Sequence, residues 1–146
     1  MLPEIHIVNG PNLNLLQQRP PEIYGGKSFD QYLNQELRPQ FKYQAELIYY
    51  QSNSEGALID YLQNIPANSA GVILNPAAYT HYSLALADTV ELMSMDIVEV
   101  HISDLRQREK IRQTSLIRPY VRKSIVGKGL KGYEMAVEWL LQKGEK

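Results

Sequence analysis

Residues 71–76 read Gly-Val-Ile-Leu-Asn-Pro, a continuous apolar run that stops at Asn75 and Pro76. A short apolar run bounded by turn residues is typical of a fully buried strand. Helical patterns flank this run, with apolar residues on one stripe from about 54 to 65 and again from about 82 to 94. A buried strand between two helices predicts a parallel sheet, because parallel strands are joined by crossovers that lay helices over the sheet.

The same alternation continues in both directions along the chain. Further strands are predicted at 5–8, 47–50 and 97–102, with a weaker one at 121–126, and further helices at 29 to about 37 and 130–142. Ser28 can cap the first of these helices, and Pro39 is expected to mark its end. Residues 12–27 are predicted to form a long loop. We therefore expect a single α/β domain over residues 1–146, with a flavodoxin-like open five-stranded parallel sheet and helices on both faces.

Composition narrows the class of protein. The chain has 146 residues, of which 44% are hydrophobic, so it can build one well-packed core, and its net charge of −1 gives no global attraction to nucleic acid or membranes. It has no cysteine, which excludes disulfides, thiolate metal sites and a cysteine nucleophile. The N-terminus lacks the basic and apolar regions of a signal peptide, and no apolar run reaches the roughly 18 residues of a membrane span. A cytoplasmic protein is expected.

The charge is distributed unevenly along the sequence. Nine of the fifteen Lys and Arg residues lie between Arg106 and Lys131. This stretch can be a solvated surface, a site for an anionic substrate or an RNA contact. Tyr120 is its only aromatic residue, which argues against a platform for nucleic-acid bases.

Polar segments lie at the ends of three of the predicted strands. Segments 9–14 and 75–81 follow the first and third strands, and the fourth strand ends in residues 99–103. In an open parallel sheet the carboxyl ends of the strands meet where ligands bind. The loop after the first strand also carries Arg19 and Tyr24. The sequence therefore predicts a site built from segments that are far apart along the chain.

Residue patterns alone leave the chemistry of this site open. Tyr24 is one of ten tyrosines, and a tyrosine is more often packed or exposed than catalytic. Glu99 points to the same side of its strand as His101, so it can orient an acid–base histidine, but a structural histidine is equally compatible. His81 can be a ligand contact or a residue at a helix start, and His6 is expected to be packed. No spacing typical of a metal site or a phosphate-binding loop occurs.

At this point the motifs can be compared with a known family. The sequence closely resembles the type II 3-dehydroquinate dehydratases in collinear stretches: NGPNLNLL at 9–16, RPPEIYG at 19–25, YQSNSEGALID at 50–60, GVILNPAAYTHYSLALAD at 71–88, VEVHIS at 98–103 and REKIRQTS at 108–115. The resemblance implies a flavodoxin-like fold, a homo-oligomer that is usually a dodecamer of trimers, and anti elimination of water from 3-dehydroquinate through an enolate. It implies no cofactor and no metal.

The resemblance also implies catalytic roles. Tyr24 is the base that removes the C2 proton, with Arg19 beside it in a lid, and Asn12 helps to stabilise the enolate. His101 is the acid that protonates the departing C1 hydroxyl, oriented by Glu99. These roles fit the chemistry, because a phenol with its usual pKa of about 10 needs a nearby cation to act as a base, and water leaves readily only when protonated.

Substrate contacts are implied at seven further positions. The carboxylate is held by Asn75 and the backbone N–H groups of Ile102 and Ser103. The ring hydroxyls meet His81, Arg112 and Asp88, the last from a neighbouring subunit, and Arg108 matches a position that supports the lid.

The sequence departs from the family pattern in two places. Gln17 stands where glycine is common and Pro20 where an acidic residue is common. Both positions belong to the lid, so these differences concern its dynamics. Arg118, Lys123 and Lys128 replace small or apolar residues, which bears on the contacts between subunits. A non-catalytic substrate-binding or regulatory paralogue on the same fold is the alternative, although such a protein would not need an acid–base pair.

Overall fold

The computed structural model describes residues 1–144 and contains one parallel sheet. Its strands are β1 (Glu4–Asn9), β2 (Glu46–Gln51), β3 (Gly71–Asn75), β4 (Ile97–His101) and β5 (Lys123–Val126). They lie in the order β2-β1-β3-β4-β5, and every pair is parallel. This arrangement confirms the flavodoxin-like α/β fold. The weak fifth strand also exists, but it begins two residues later than the pattern predicted.

Helices cover both faces of the sheet. The main helices are Phe29–Tyr32 with its continuation to Gln40, Glu55–Gln63, Leu84–Leu92 and Lys131–Gly144. The first and last pack on one face, where Tyr133 is fully buried, and the other two pack on the opposite face around Leu74 and Leu86. Within residues 1–144, none of these helices combines the length and apolarity needed to cross a membrane.

Local hydrogen bonds explain where the helices begin. The side chains of Ser28, Ser54 and Ser83 accept hydrogen bonds from the backbone three residues later, as N-cap residues do. Ser28 also forms a capping box with Gln31. The helices predicted at 54–65 and 82–94 are shorter in the structure, at Glu55–Gln63 and Leu84–Leu92, and the serine caps account for where they begin.

Two predictions about the first third of the chain were wrong. Residues 12–27 are not a long loop, because they contain the helical turns Leu13–Gln18 and Pro21–Tyr24. The helix that begins at Phe29 does not end before Pro39 but runs to Gln40. A proline removes a backbone donor and crowds the preceding turn, and a widened π turn over Leu33–Leu37 directly before Arg38 accommodates it.

The order of the strands places the site. The chain passes from β1 outward to β2, then returns to β3 on the other side of β1. The connections therefore diverge between β1 and β3, where open α/β sheets bind their ligands. Asn9 pairs with Asn75 in the register of these strands, so their polar exit segments begin side by side.

Candidate active site

The exit segments of β1 and β3 are in direct backbone contact. The Gly10 N–H donates to the carbonyl of Asn75 at 2.8 Å. A Cβ atom at Gly10 would lie 2.5 Å from the carbonyl oxygen of Pro76, closer than real Cβ atoms approach. Only glycine permits this approach, which is why the NGPN motif needs it.

A cavity of about 170 Å³ opens where these segments meet the end of β4. All but two of the predicted site residues line it: Asn12, Arg19, Tyr24, Asn75, His81, His101, Ile102, Ser103, Arg108 and Arg112. The exceptions are Glu99, which lies behind His101, and Asp88, which is exposed on the helix Leu84–Leu92. The sequence motifs thus converge on one cavity within a single chain.

Arg19 and Tyr24 form a pair at one side of the cavity. The Arg19 Nη2 donates to the Tyr24 hydroxyl at 3.0 Å, and the guanidinium carbon lies 4.6 Å from the centre of the tyrosine ring. Tyr24 was expected on a long loop, but it lies in a helical turn and only 6% of it is exposed. It ends the turn Pro21–Tyr24 and packs into the core, and this packing positions its hydroxyl.

His101 and Glu99 form the second pair. The His101 Nε2 lies 2.7 Å from a carboxylate oxygen of Glu99, and both side chains are buried. Burial by itself raises the pKa of the Glu99 carboxyl, but hydrogen bonds from His101, Arg118 and Ser115 outweigh burial. The pKa of Glu99 therefore lies well below its ordinary value. With Nε2 engaged by an ionised carboxylate, Nδ1 is the ring nitrogen left for the cavity.

His81 lies at the end of the helical turn Ala77–His81 and faces the cavity. Its Nδ1 is 2.8 Å from the carbonyl oxygen of Thr114. Burial lowers the pKa of His81, and the positive charges of Arg112, Arg108 and a protonated His101 lower it further, although the Thr114 carbonyl opposes them. A neutral imidazole at this position can donate to or accept from a hydroxyl group.

A buried hydrogen-bond chain fixes Asn75. The Asn75 Nδ2 donates to the Tyr133 hydroxyl at 2.9 Å, and that hydroxyl donates to Asn9 Oδ1 at 2.8 Å. The Asn75 Oδ1 accepts from the Ala77 N–H at 3.1 Å. Sequence reasoning missed Tyr133, because an aromatic residue on the apolar stripe of a helix is indistinguishable from ordinary core.

Two arginines after β4 complete the wall. Arg112 donates from Nε to Glu109 at 3.0 Å, and Arg108 reaches Ser103 Oγ at 3.4 Å. Glu109 is therefore shared between two cations, since its other oxygen lies 3.6 Å from Arg108. Both arginines line the cavity, so part of the basic stretch contributes to the site and not only to the solvated surface.

Backbone strain is concentrated beside the cavity. Asn12 and Ala77 are the non-glycine residues with positive φ within residues 1–144, at 69° and 53°. The left-handed conformation costs roughly 1–2 kcal/mol for a residue with a Cβ, although asparagine tolerates it better. Strain of this kind often accompanies binding sites. In the same part of the chain, no three His, Cys, Asp or Glu side chains are grouped so as to hold a metal ion.

Known proteins are similar to this chain over most of its length. The family model described as Dehydroquinase class II matches residues 3–141. A 3-dehydroquinate dehydratase of Bacillus pumilus (strain SAFR-032) is 40% identical over 98% of this chain and 97% of its own length, and one of Roseiflexus castenholzii (strain DSM 13941 / HLO8) is 44% identical over 94% and 88%. The crystal structure of the type II dehydroquinase from Butyrivibrio crossotus DSM 2876 is 41% identical, with a TM-score of 0.88 over 95% of this chain and 97% of that one. The chain belongs to the dehydroquinase class II family.

Proposed function

We propose that this chain dehydrates 3-dehydroquinate to 3-dehydroshikimate by anti elimination through an enolate, with Tyr24 as base and His101 as acid. One observation carries the proposal. The Arg19–Tyr24 pair and the Glu99–His101 pair open into the same small cavity. A base and an acid, each with its own oriented partner, are the requirements for removing a proton and a hydroxyl group from one substrate.

Proton removal is the first step of the proposal. The Tyr24 phenolate takes the C2 proton, and the guanidinium of Arg19 stabilises that phenolate through its hydrogen bond and its charge. Negative charge then develops on the ketone oxygen. Asn12 lines the cavity and supports the enolate, as dipoles fixed in advance do.

Loss of water is the second step. His101 donates a proton to the C1 hydroxyl, which leaves as water, and the enolate collapses to the conjugated enone. Glu99 stabilises the imidazolium before this transfer and keeps its ring oriented after it.

Recognition of the substrate involves the remaining residues. We assign the carboxylate to Asn75 and to the backbone N–H groups of Ile102 and Ser103, and the ring hydroxyls to His81 and Arg112. Arg108 supports the wall that carries Ser103. We further propose that Asp88 completes the site of a neighbouring subunit in a homo-oligomer, and that the reaction needs no cofactor.

The test is to add 3-dehydroquinate and follow the ultraviolet absorbance of the conjugated product. Tyr24→Phe should lower kcat by at least about 10²-fold, because general-base catalysis contributes about 10²–10⁴-fold, whereas the substrate should still bind. Tyr43→Phe is the matched control, since Tyr43 is 82% exposed and does not line the cavity. If Tyr24→Phe keeps more than about a tenth of kcat, well short of that range, Tyr24 is not the base. Binding without turnover by the unmodified protein would instead favour the non-catalytic paralogue.

A further inference from the structure

We propose that Arg118 is a positioning residue for the dehydration step, acting through Glu99. Its guanidinium keeps the buried Glu99 carboxylate ionised and fixed against His101 throughout the catalytic cycle. The inference rests on the proposed role of His101 as the acid. It concerns a residue that lies outside the cavity and that the family resemblance related only to contacts between subunits.

Four side chains donate to Glu99 and satisfy both of its oxygens. His101 and Ser115 donate to Oε2, and Ser115 is itself held by Thr80 at 2.7 Å. On Oε1, the Arg118 Nε donates at 2.8 Å and the Ser124 hydroxyl at 2.7 Å. Two hydroxyls, one imidazole and one guanidinium thus surround a carboxylate with no exposed surface.

Arg118 is held in place by its own segment. It begins the helical turn Arg118–Tyr120, which follows the fully buried Ile117 and has Pro119 in its first turn. The Tyr120 N–H donates to the Ile117 carbonyl at 2.9 Å, which closes the turn. The guanidinium therefore reaches Glu99 from the surface, with 44% of its side chain exposed.

The two cationic side chains that contact Glu99 differ in whether they keep their charge during the reaction. An imidazolium is positive only until it gives up its proton, so once His101 has acted as acid, Glu99 faces a neutral ring. A guanidinium stays protonated at every accessible pH. Isolated buried carboxylates are costly and tend to take up a proton. Without Arg118, Glu99 could take up the proton that His101 must recover, so the fixed charge of Arg118 maintains the acid between turnovers.

Few other charged side chains act on the Glu99 carboxylate. The ionisable groups that contact Glu99 are His101 and Arg118, and the remaining contacts are the two serine hydroxyls. His101 in turn faces His81, Arg108 and Arg112 across the cavity. These three residues are positive or neutral, and none of them contacts Glu99, so they cannot replace Arg118.

The experiment compares Arg118→Gln, Arg118→Lys and Arg122→Gln. Arg118→Gln keeps a hydrogen-bonding side chain but removes the charge, and Arg118→Lys keeps the charge. Arg122→Gln is the matched control, because Arg122 is an exposed arginine whose ion pair is with Asp96 at 3.2 Å. We expect Arg118→Gln to lower kcat about tenfold, a part of the 10²–10⁴-fold contribution of an acid, with KM unchanged. The acidic limb of its kcat profile should move to higher pH, and Arg118→Lys should restore most of both losses.

A second readout needs no turnover. The low pKa of Glu99 contributes stability that is present above its ordinary value of about 4.5 and is lost as the pH falls through the lowered value. As the pH falls, this loss begins at the ordinary pKa of the unfolded chain, which both variants share. In Arg118→Gln the pKa of folded Glu99 is lowered less, so the total loss of Tm on acidification should be smaller, and should end at a higher pH, than in Arg122→Gln. Equal Tm–pH curves for the two variants, or an Arg118→Lys variant as impaired as Arg118→Gln, would overturn the inference. Because the Tm curves are independent of catalysis, they still judge Arg118 if Tyr24→Phe contradicts the proposed reaction.

Discussion

Tyr133 connects the core to Asn75, a proposed substrate contact, through a single hydroxyl group. The ring is buried against Phe29, with the ring centres 4.8 Å apart, and its hydroxyl bridges Asn9 and Asn75. Two amides at the ends of adjacent strands are therefore fixed by an aromatic residue from the last helix. The position of Asn75 depends on helix Lys131–Gly144 as much as on β3.

Removing that hydroxyl should affect both stability and binding. We expect Tyr133→Phe to destabilise the fold by about 1–3 kcal/mol, because it leaves the Asn75 amide and the Asn9 carbonyl oxygen without their partner in the core. The KM should rise, since Asn75 loses its fixed orientation. Urea unfolding and steady-state kinetics measure the two effects. Tyr61→Phe is the control: it also loses a hydrogen bond, to His6 at 2.8 Å, but outside the cavity, so its KM should not change.

At this scale, the sequence is informative where the contacts are local. Glu99 and His101 are two residues apart on one strand, so spacing indicated that pair. Arg19 and Tyr24 lie five residues apart in one segment, and the family resemblance implied that they act together. Tyr133 and Arg118 act on residues 58 and 19 positions away. No periodicity encodes such contacts, because they depend on how the last helix and the turn before β5 pack on the sheet. The burial of Tyr24 was missed for the same reason.

Among the elements, β1 and β3 matter most to the site, because the site depends on the spacing between them. Gly10 lets their exit segments touch. The strained residue Asn12 lies two positions after Gly10 in one segment, and the strained Ala77 lies two positions after Asn75 in the other. These segments present Asn12 and Asn75 to the cavity. A shift of a few tenths of an ångström between the segments would therefore move both groups relative to the substrate.

A methyl group at Gly10 should force that shift. We expect Gly10→Ala to destabilise the fold by about 1–3 kcal/mol, the usual cost of overpacking, and to lower kcat/KM more than Tm alone would explain. Gly56→Ala is the matched control, because a Cβ there meets nothing closer than 3.9 Å and the position is helical. That variant should be neutral or up to about 1 kcal/mol more stable. Thermal unfolding and steady-state kinetics of both variants test this prediction. An unaltered kcat/KM in Gly10→Ala would contradict the idea that the site depends on the spacing of the two segments.

The elements predicted best were those with a strong apolar period. All five strands were predicted. β3 reads as an unbroken apolar run, as buried parallel strands do, whereas β5 contains Lys123 and Ser124 and its start was placed two residues too early. The turns Leu13–Gln18 and Pro21–Tyr24 were not found, because helices this short have no stability of their own in water. They are held by tertiary packing, with Leu16 and Tyr24 buried against the core. Only the folded protein reveals them.

The whole molecule leaves an apolar surface beside Asp88. On and next to the helix Leu84–Leu92, the side chains of Tyr82, Leu84 and Leu92 are between 62% and 82% exposed. Asp88 itself is exposed and does not line the cavity of its own chain. Both observations fit the proposed closed homo-oligomer, in which one subunit completes the site of the next.

Mixing two impaired variants tests this shared site. If Asp88 serves a neighbouring subunit, Tyr24→Phe and Asp88→Asn each lower activity alone, but subunits refolded together should regain some intact sites and therefore activity. Light scattering should report an oligomer for all samples. Mixtures no more active than the average of their components, or a fully active monomer, would rule out the shared site.

The cavity also joins distant parts of the chain, since its walls come from the exits of β1, β3 and β4. Any compound that fills it must hold these segments together, so it can bind only the folded state. At a concentration of 100 times Kd, such a ligand adds about 2.7 kcal/mol to the free energy of unfolding, enough to raise Tm by roughly 5–10 °C in a chain of this size. Inhibitors of this protein can thus be sought in a simple melting screen, without its substrate.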